Sequence, residues 1–380
     1  MMEIPLSGPD IVEADIEAVT AVLRTSRLSL GTKLNAFEAA MASYTGVPRA
    51  VAVSSGTAAL HLSLLALGIQ PGDEVIVPSF TFIAVANAIR YVGAQPVFAD
   101  IDAESLNLSP GSVEAAITPR TRALIVVHTF GRPAELADLL SIAQRHNLRV
   151  VEDASEAIGA EVNGRRVGSF GDTGVFAFYP NKQITTGEGG IVVTRDSKIA
   201  ERIAALRNQG RYPSPPGSDP QTSWFDHAEL GYNYRIGEME CALGLSQLAR
   251  IDAILARREA IARRYCELLA GTPGLVLPAT DVPNQRLSWF VFVVRLAEDC
   301  AADARDRLMA SLAATGIATG RYFAPIHLQP AYAAWRESAD LPVTEAVASR
   351  SLALPFFNGM TDAEIVRVGR ELQAALRAQR

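Results

Sequence analysis

Residues 50–60 read Ala50-Val-Ala-Val-Ser54-Ser55-Gly56-Thr57-Ala-Ala-Leu60. A short Val-rich apolar run passes through two hydroxyl residues and a glycine into a segment of helical character. That is a buried strand feeding a helix through a tight turn. The same alternation continues outward. Apolar runs at 74–77, 96–99, 123–127 and 149–151 read as buried strands, with helical stretches at 57–67, 84–92, 113–117 and 135–146 between them. Repeated strand–helix–strand order predicts an α/β fold, with a mostly parallel sheet covered by helices on both faces. Further strands at 174–178 and 190–194 and a helix at 198–207 extend this unit.

The stretch 210–221, GRYPSPPGSDPQ, is too rich in Pro, Gly and Ser for a helix or a central strand and is expected to be a loop. Leucines and isoleucines then recur at helical spacing through 238–270, as a long helix or a helix pair leading to a second part of the chain. There a strand at 289–296 alternates with helices at 301–314 and 362–378. The expected division is a large domain, 1–245, with an N-terminal helical arm, and a smaller C-terminal α/β domain, 246–380.

Among its 380 residues 49% are hydrophobic and 20% charged, as in ordinary globular proteins. A net charge of −6 gives no reason to expect nucleic acid as a partner. Three dispersed cysteines suggest neither a disulfide framework nor a zinc site, and no metal is expected. No apolar run approaches the roughly 20 residues that span a bilayer, and the start lacks a secretory pattern. No membrane association and a cytoplasmic location are expected.

Three pieces carry chemistry. The first is the Ser55-Gly56-Thr57 turn, since a helix start offers free N–H groups and a favourable dipole to a phosphate. A plain capped helix would use the same residue types. The second is the pair Glu152-Asp153 at the carboxyl end of a strand, where ligands gather in open α/β sheets. A carboxylate there can keep a pyridinium nitrogen charged, or merely cap a loop. The third is Lys182, alone between the aromatic-rich FAFYPN and the glycine-rich TTGEGG. A loop lysine is either a solvated charge or, in an enclosed site, an amine able to attack an aldehyde. A phosphate turn, then a strand-end Asp, then a loop Lys is the order expected of a pyridoxal-phosphate enzyme on such a sheet.

With these pieces in view the chain resembles the DegT/DnrJ/EryC1/StrS aminotransferases of nucleotide sugars. The resemblance rests on SSGTAALHL (54–62), GDEVIVPSFTFIAVANAI (72–89), PVFADID (96–102), EDASEAIGA (152–160), VGSFGDTGVFAFYPNK (167–182), TTGEGG (185–190) and ELGYNYRIGEMECALG (229–244). It implies the fold type I aminotransferase architecture, used as a homodimer with shared active sites. It implies pyridoxal 5'-phosphate as cofactor, L-glutamate as donor and a nucleotide-linked keto sugar as acceptor. Lys182 matches the Schiff-base lysine and Asp153 the partner of the ring nitrogen. Gly56 and Thr57, with Ser55, match the phosphate turn, and Phe82 matches the aromatic that stacks on the ring. Asn233 matches an asparagine that reaches the neighbouring subunit's cofactor. Arg235 in the same loop would pair with a substrate phosphate or donor carboxylate, unless it forms a surface salt bridge. His227 and His327 sit in family-like strings, where each is either a sugar or nucleotide contact or a structural histidine.

Two departures stand out. Many members carry Ser where this chain has Ala177, and Ser55 or Asn181 would have to replace its hydroxyl at the phosphate. Position 156 is often Gln or His but is Glu here; Glu156 resembles the perosamine-synthase branch, which aminates the 4-keto position of a nucleotide-linked 6-deoxyhexose. A cyclitol ketone is an alternative acceptor. A non-catalytic sensor of the same fold is a further alternative, against which the complete set of Lys182, Asp153 and the turn speaks. The family's 3-dehydrases carry His in place of the lysine, so Lys182 argues against that chemistry.

Overall fold

The computed structural model describes residues 3–212, 226–337 and 339–379. Most of the Pro-rich stretch 210–221 lies outside the described residues. The large sheet is built from β1 (Arg49–Val53), β2 (Glu74–Pro78), β3 (Gln95–Ala99), β4 (Thr121–Val127) and β5 (Arg149–Asp153). A two-residue hairpin, β6 (Glu161–Val162) and β7 (Arg165–Arg166), precedes its last strands, β8 (Thr173–Ala177) and β9 (Gly190–Thr194). The order is β1-β9-β8-β5-β4-β2-β3. β8, β5, β4, β2 and β3 run parallel, while β9 is antiparallel to both β8 and β1. β1 therefore points the same way as the parallel strands, and their carboxyl ends share one edge.

All seven large-sheet strands fall where the apolar runs place them, with ends shifted by a residue or two. The reversed direction of β9 is not encoded by any local pattern. The helix expected at 113–117 instead spans Pro110–Ala115, because proline is suited to a first helical turn. The stretch 238–270 is a helix pair, Glu238–Ala249 and Ile251–Leu269.

Both faces of the sheet are covered. Val53, Val127 and Val192 pack with Leu60, Ile89 and Leu206 on one side. Leu124, Val150 and Phe176 pack with Phe37, Leu139 and Ile254 on the other. A separate cluster holds Tyr265, Phe292, Leu308, Leu354 and Leu372 around β12 (Phe292–Leu296), which lies between β10 (Leu275–Val276) and β13 (Ser351–Leu354). The helix Asp362–Ala378 beneath it starts on a reciprocal capping box between Thr361 and Glu364. Ile4 belongs to this cluster, and the helix Ile251–Leu269 contributes to both the large core and this one.

The short hairpin carries an Asn163-Gly164 turn with φ of 51° and 74°, the left-handed pair that tight hairpin turns require. It matters for the site. β6 pairs with β11 (Gln285–Arg286) in a separate three-stranded sheet with β7, tying the segment that leads into β12 to the connection between β5 and β8.

Candidate active site

The carboxyl edge of the sheet holds a cavity of about 620 Å3. At the end of β1 the helix Gly56–Ala66 begins, with Ser55 as its cap. The Ser55 hydroxyl accepts from Ala58 N at 3.1 Å and the Ser55 carbonyl from Ala59 N at 3.0 Å. The amides of Gly56 and Thr57 precede these bonds and, among the described residues, meet no protein acceptor. A side chain at position 56 would place its Cβ 2.6 Å from the Ala177 Cβ, and one at Gly190 would lie 2.4 Å from the Ser55 carbonyl. These contacts let the helix start sit directly on β8 and β9.

At the end of β5, Asp153 is buried, and one carboxylate oxygen accepts from Ser155 N at 3.0 Å. Its neighbour Glu152 points away from the cavity and is a structural group. It accepts from the amides of Gly168, Phe170 and Gly171 and from His128 Nε2.

Beyond β8 the chain folds back on itself. Phe178 N donates to Gly189 O, Thr186 N and the Thr185 hydroxyl to Phe178 O, and Lys182 N to Tyr179 O. This compact loop turns the Lys182 side chain into the cavity, leaving it 14% exposed. Its Nζ lies 3.6 Å from Glu156 Oε1 and 4.0 Å from the centroid of the Phe290 ring. The chain has three lysines; Lys33 and Lys198 do not line the cavity.

Glu156 Oε2 accepts from Phe130 N at 3.0 Å. Burial raises the Glu156 carboxyl above the ordinary value of 4.5; the Lys182 charge and the Phe130 amide oppose that rise. A carboxyl raised in this way holds its proton more tightly folded than unfolded. Its contribution to stability is full below 4.5 and is lost as pH climbs through the folded value. Glu156→Gln should therefore gain stability relative to wild type as pH rises through that window, read from unfolding midpoints of cofactor-free protein. A difference that stays flat, or runs the other way, would count against this electrostatic picture.

Ser55, Gly56, Thr57, Phe82, Asp153, Glu156 and Lys182 thus line one cavity. Phe82 is 62% exposed at its rim. Asn181 also lines it and has a buried, unpartnered Oδ1. Asn233, Arg235, His227 and His327 do not line it. Asn233 is exposed and bridges to Asn208 through its backbone, and Arg235 donates to the Asn208 side chain. His227 Nδ1 lies 2.8 Å from the Gln209 carbonyl. The buried His327 ring meets Ser79 Oγ at 2.7 Å and Glu345 Oε1 at 3.2 Å, so both of its nitrogens face protein groups.

Sequence reasoning missed Phe290, Arg321, Tyr322 and Phe323, which close the cavity from the C-terminal part of the chain. No local motif marks them. The scarcity of lysine was a usable signal for Lys182.

The residues fit a phosphorylated pyridine aldehyde. Two free amides and a Cβ-free approach at a helix start suit a phosphate, a strand-end carboxylate suits a ring nitrogen, and an enclosed amine suits an aldehyde. Among the described residues no group of three or more His, Cys, Asp or Glu is placed to hold a metal ion, and no helix is long and apolar enough to cross a membrane.

This sheet, with these three groups at its carboxyl edge, defines the class: a pyridoxal-phosphate-dependent transferase. The chain belongs to the DegT/DnrJ/EryC1/StrS aminotransferase family, whose sequence pattern matches residues 9–373. It is 42% identical to the GDP-perosamine synthase of Caulobacter vibrioides over 341 residues, which is 90% of this chain and 89% of that one. DesV of S. venezuelae superposes with a TM-score of 0.86 at 40% identity, covering 96% and 94% of the two chains. Spr1654 of Streptococcus pneumoniae in its PLP form superposes with a TM-score of 0.92 at 28% identity over the whole of both.

Proposed function

We propose that this enzyme moves the amino group of L-glutamate to a nucleotide-linked keto sugar, a 4-keto-6-deoxyhexose, as a homodimer with shared active sites. The observation that carries the reading is the convergence of Lys182, Asp153 and the Ser55-Gly56-Thr57 turn in one cavity at the sheet's edge. The choice of acceptor is supported by the GDP-perosamine synthase relative and by Glu156. In sum, glutamate and the keto sugar become 2-oxoglutarate and an amino sugar.

Pyridoxal phosphate, when bound, supplies an aldehyde that takes the donor nitrogen and a ring that takes up the electrons left by a departing proton. Lys182 would hold it covalently through Nζ and, when free, would carry a proton from the donor's α-carbon. Asp153 would keep the ring nitrogen protonated, and Gly56, Thr57 and Ser55 would hold the phosphate through amides and a hydroxyl. The Asn181 amide, in the same cavity, is a candidate replacement for the missing hydroxyl at Ala177 through its Nδ2 donor. Phe82 would offer that ring an aromatic surface.

Asp153→Asn should fold and retain much of its cofactor, since the side chain is nearly isosteric. Losing a charge-assisted bond in an enclosed site is worth on the order of 1.5–3 kcal/mol. Felt mainly in the transition state, that lowers turnover roughly ten- to a hundredfold. Near-normal turnover would show that Asp153 is not the ring's partner.

The substrate reading is tested with nitrogen-labelled L-glutamate and a panel of nucleotide 4-keto-6-deoxyhexoses and cyclitol ketones. Label should enter the sugar nucleotide as 2-oxoglutarate forms in equal amount. Transfer only to a cyclitol ketone would overturn the choice of acceptor.

A further inference from the structure

We propose that the face of Phe290 is the seat for the Lys182 ammonium whenever that lysine is not covalently held. The inference rests on the assignment of Lys182 as the covalent residue. An ammonium withdrawn from water needs compensating partners, and the face of an aromatic ring attracts a cation through its quadrupole. Lys182 Nζ has such a face 4.0 Å away and a carboxylate oxygen at 3.6 Å. Phe290 itself is 2% exposed.

The ring comes from a distant part of the chain, and a buried guanidinium holds the segment carrying it. Arg258, buried and among the described residues without a carboxylate hydrogen-bond partner, donates to the carbonyls of Trp289 and Phe290 at 2.6 and 2.7 Å and to Asn358 Oδ1 at 2.9 Å. Burial pushes its guanidinium down to about 10. The buried cation is compensated by these three bonds, by the Phe356 ring 4.9 Å away and by the charge of Asp10, so the carbonyls on either side of the Phe290 ring are held in place.

A second tie comes from Gln183, the residue after the lysine. Its Nε2 donates to the Ser288 carbonyl and hydroxyl and to the Glu156 carbonyl. Ser288 N in turn donates to Gly131 O, and Phe130 N to Glu156 Oε2. Ring, carboxylate and the backbone next to the lysine are therefore fixed relative to one another by bonds that do not pass through the lysine side chain. Arg258 and Gln183 are positioning residues; Phe290 touches the reacting nitrogen.

Other titratable groups in this cavity are Asp153, Tyr179, Glu188, Tyr322 and Arg321, the last paired with Asp306 at 3.0 Å. Tyr322 packs edge-on to the Phe290 ring with centroids 6.2 Å apart, so the ring's effect is read by comparing variants that all keep a bulky side chain beside it. Phe290→Leu and Phe290→Met keep an apolar side chain and remove the face, whereas Phe290→Tyr keeps the face.

The test titrates each holoenzyme with methylamine, too small to depend on the substrate pocket, and then reduces with borohydride. In that exchange the carbon–nitrogen double bond to Lys182 breaks as one to methylamine forms; two of the three N–H protons of methylammonium pass to Nζ, which becomes the free ammonium. Mass spectrometry reads the share of label left on the Lys182 peptide. Without the ring the released ammonium is less stable, so the Leu and Met variants should need roughly five- to tenfold more methylamine for half-release. The Tyr variant should match wild type. Half-release of Leu and Met at the wild-type concentration, or a Tyr shift as large as theirs, would overturn the proposal. A wild-type label absent from Lys182 would instead remove the covalent assignment beneath it.

Discussion

Lys182→Ala should yield folded protein in which amino transfer falls by roughly a thousandfold or more, the scale set by losing a nucleophile that is also the proton carrier. Folding survives because the side chain belongs to none of the three main cores; its neighbours are Glu156 and the Phe290 ring. Glu156 loses its cationic partner, but burial already raises its carboxyl, so it can take up a proton instead of standing as an isolated buried charge. Thermal unfolding within a few degrees of wild type, with turnover abolished, is the expected pair of readings. Turnover within tenfold of wild type would remove Lys182 from the chemistry.

Two dead variants should restore each other in a mixed dimer. Asn233 is exposed and does not line its own chain's cavity, and the single chain leaves Phe82, Tyr179 and Leu230 exposed, surface that a second copy can cover. If Asn233 serves the neighbouring site, a Lys182→Ala chain still lends a good Asn233, and an Asn233→Ala chain still has a good Lys182. A two-fold dimer of the two variants then holds one whole site. With random pairing about half the dimers are mixed, so co-expression should recover roughly a quarter of wild-type activity. The measurement requires Asn233→Ala alone to be clearly impaired and subunit exchange to be demonstrated. Activity no greater than the sum of the separate variants would place Asn233 in its own chain's site or in folding.

What was legible in the chain was what is local. SSGTAAL announces a strand, a cap and a helix within a few residues, because capping and glycine packing are short-range requirements. The run into Asp153 and the loop holding Lys182 are equally compact, and the structure brings all three to one edge. The reversal of β9 was not legible, because its Val-rich run reads the same in either direction. The Asn163-Gly164 hairpin carried a clear turn signal that two-residue strands were too short to support. Phe290 and Tyr322 reach the cavity from more than a hundred residues beyond Lys182, through the β6–β11 pairing and the Arg258 clamp, and nothing near them in sequence announces it. His327 shows the opposite limit. A histidine in a suggestive string has both ring nitrogens facing Ser79 and Glu345, contacts invisible until the chain is folded.

The central claim is that this chain works through a lysine covalently joined to pyridoxal phosphate, and that the lysine is Lys182. With only three lysines in the sequence, one experiment addresses it directly. Purified holoenzyme is reduced with borohydride, digested, and the modified peptide identified by mass spectrometry, before and after incubation with L-glutamate. The account predicts loss of the visible absorption band on reduction, label on the peptide containing Lys182, and sharply less of that label after glutamate has released the lysine. Label on the peptide of Lys33 or Lys198, or labelling of Lys182 that glutamate leaves untouched, would contradict it.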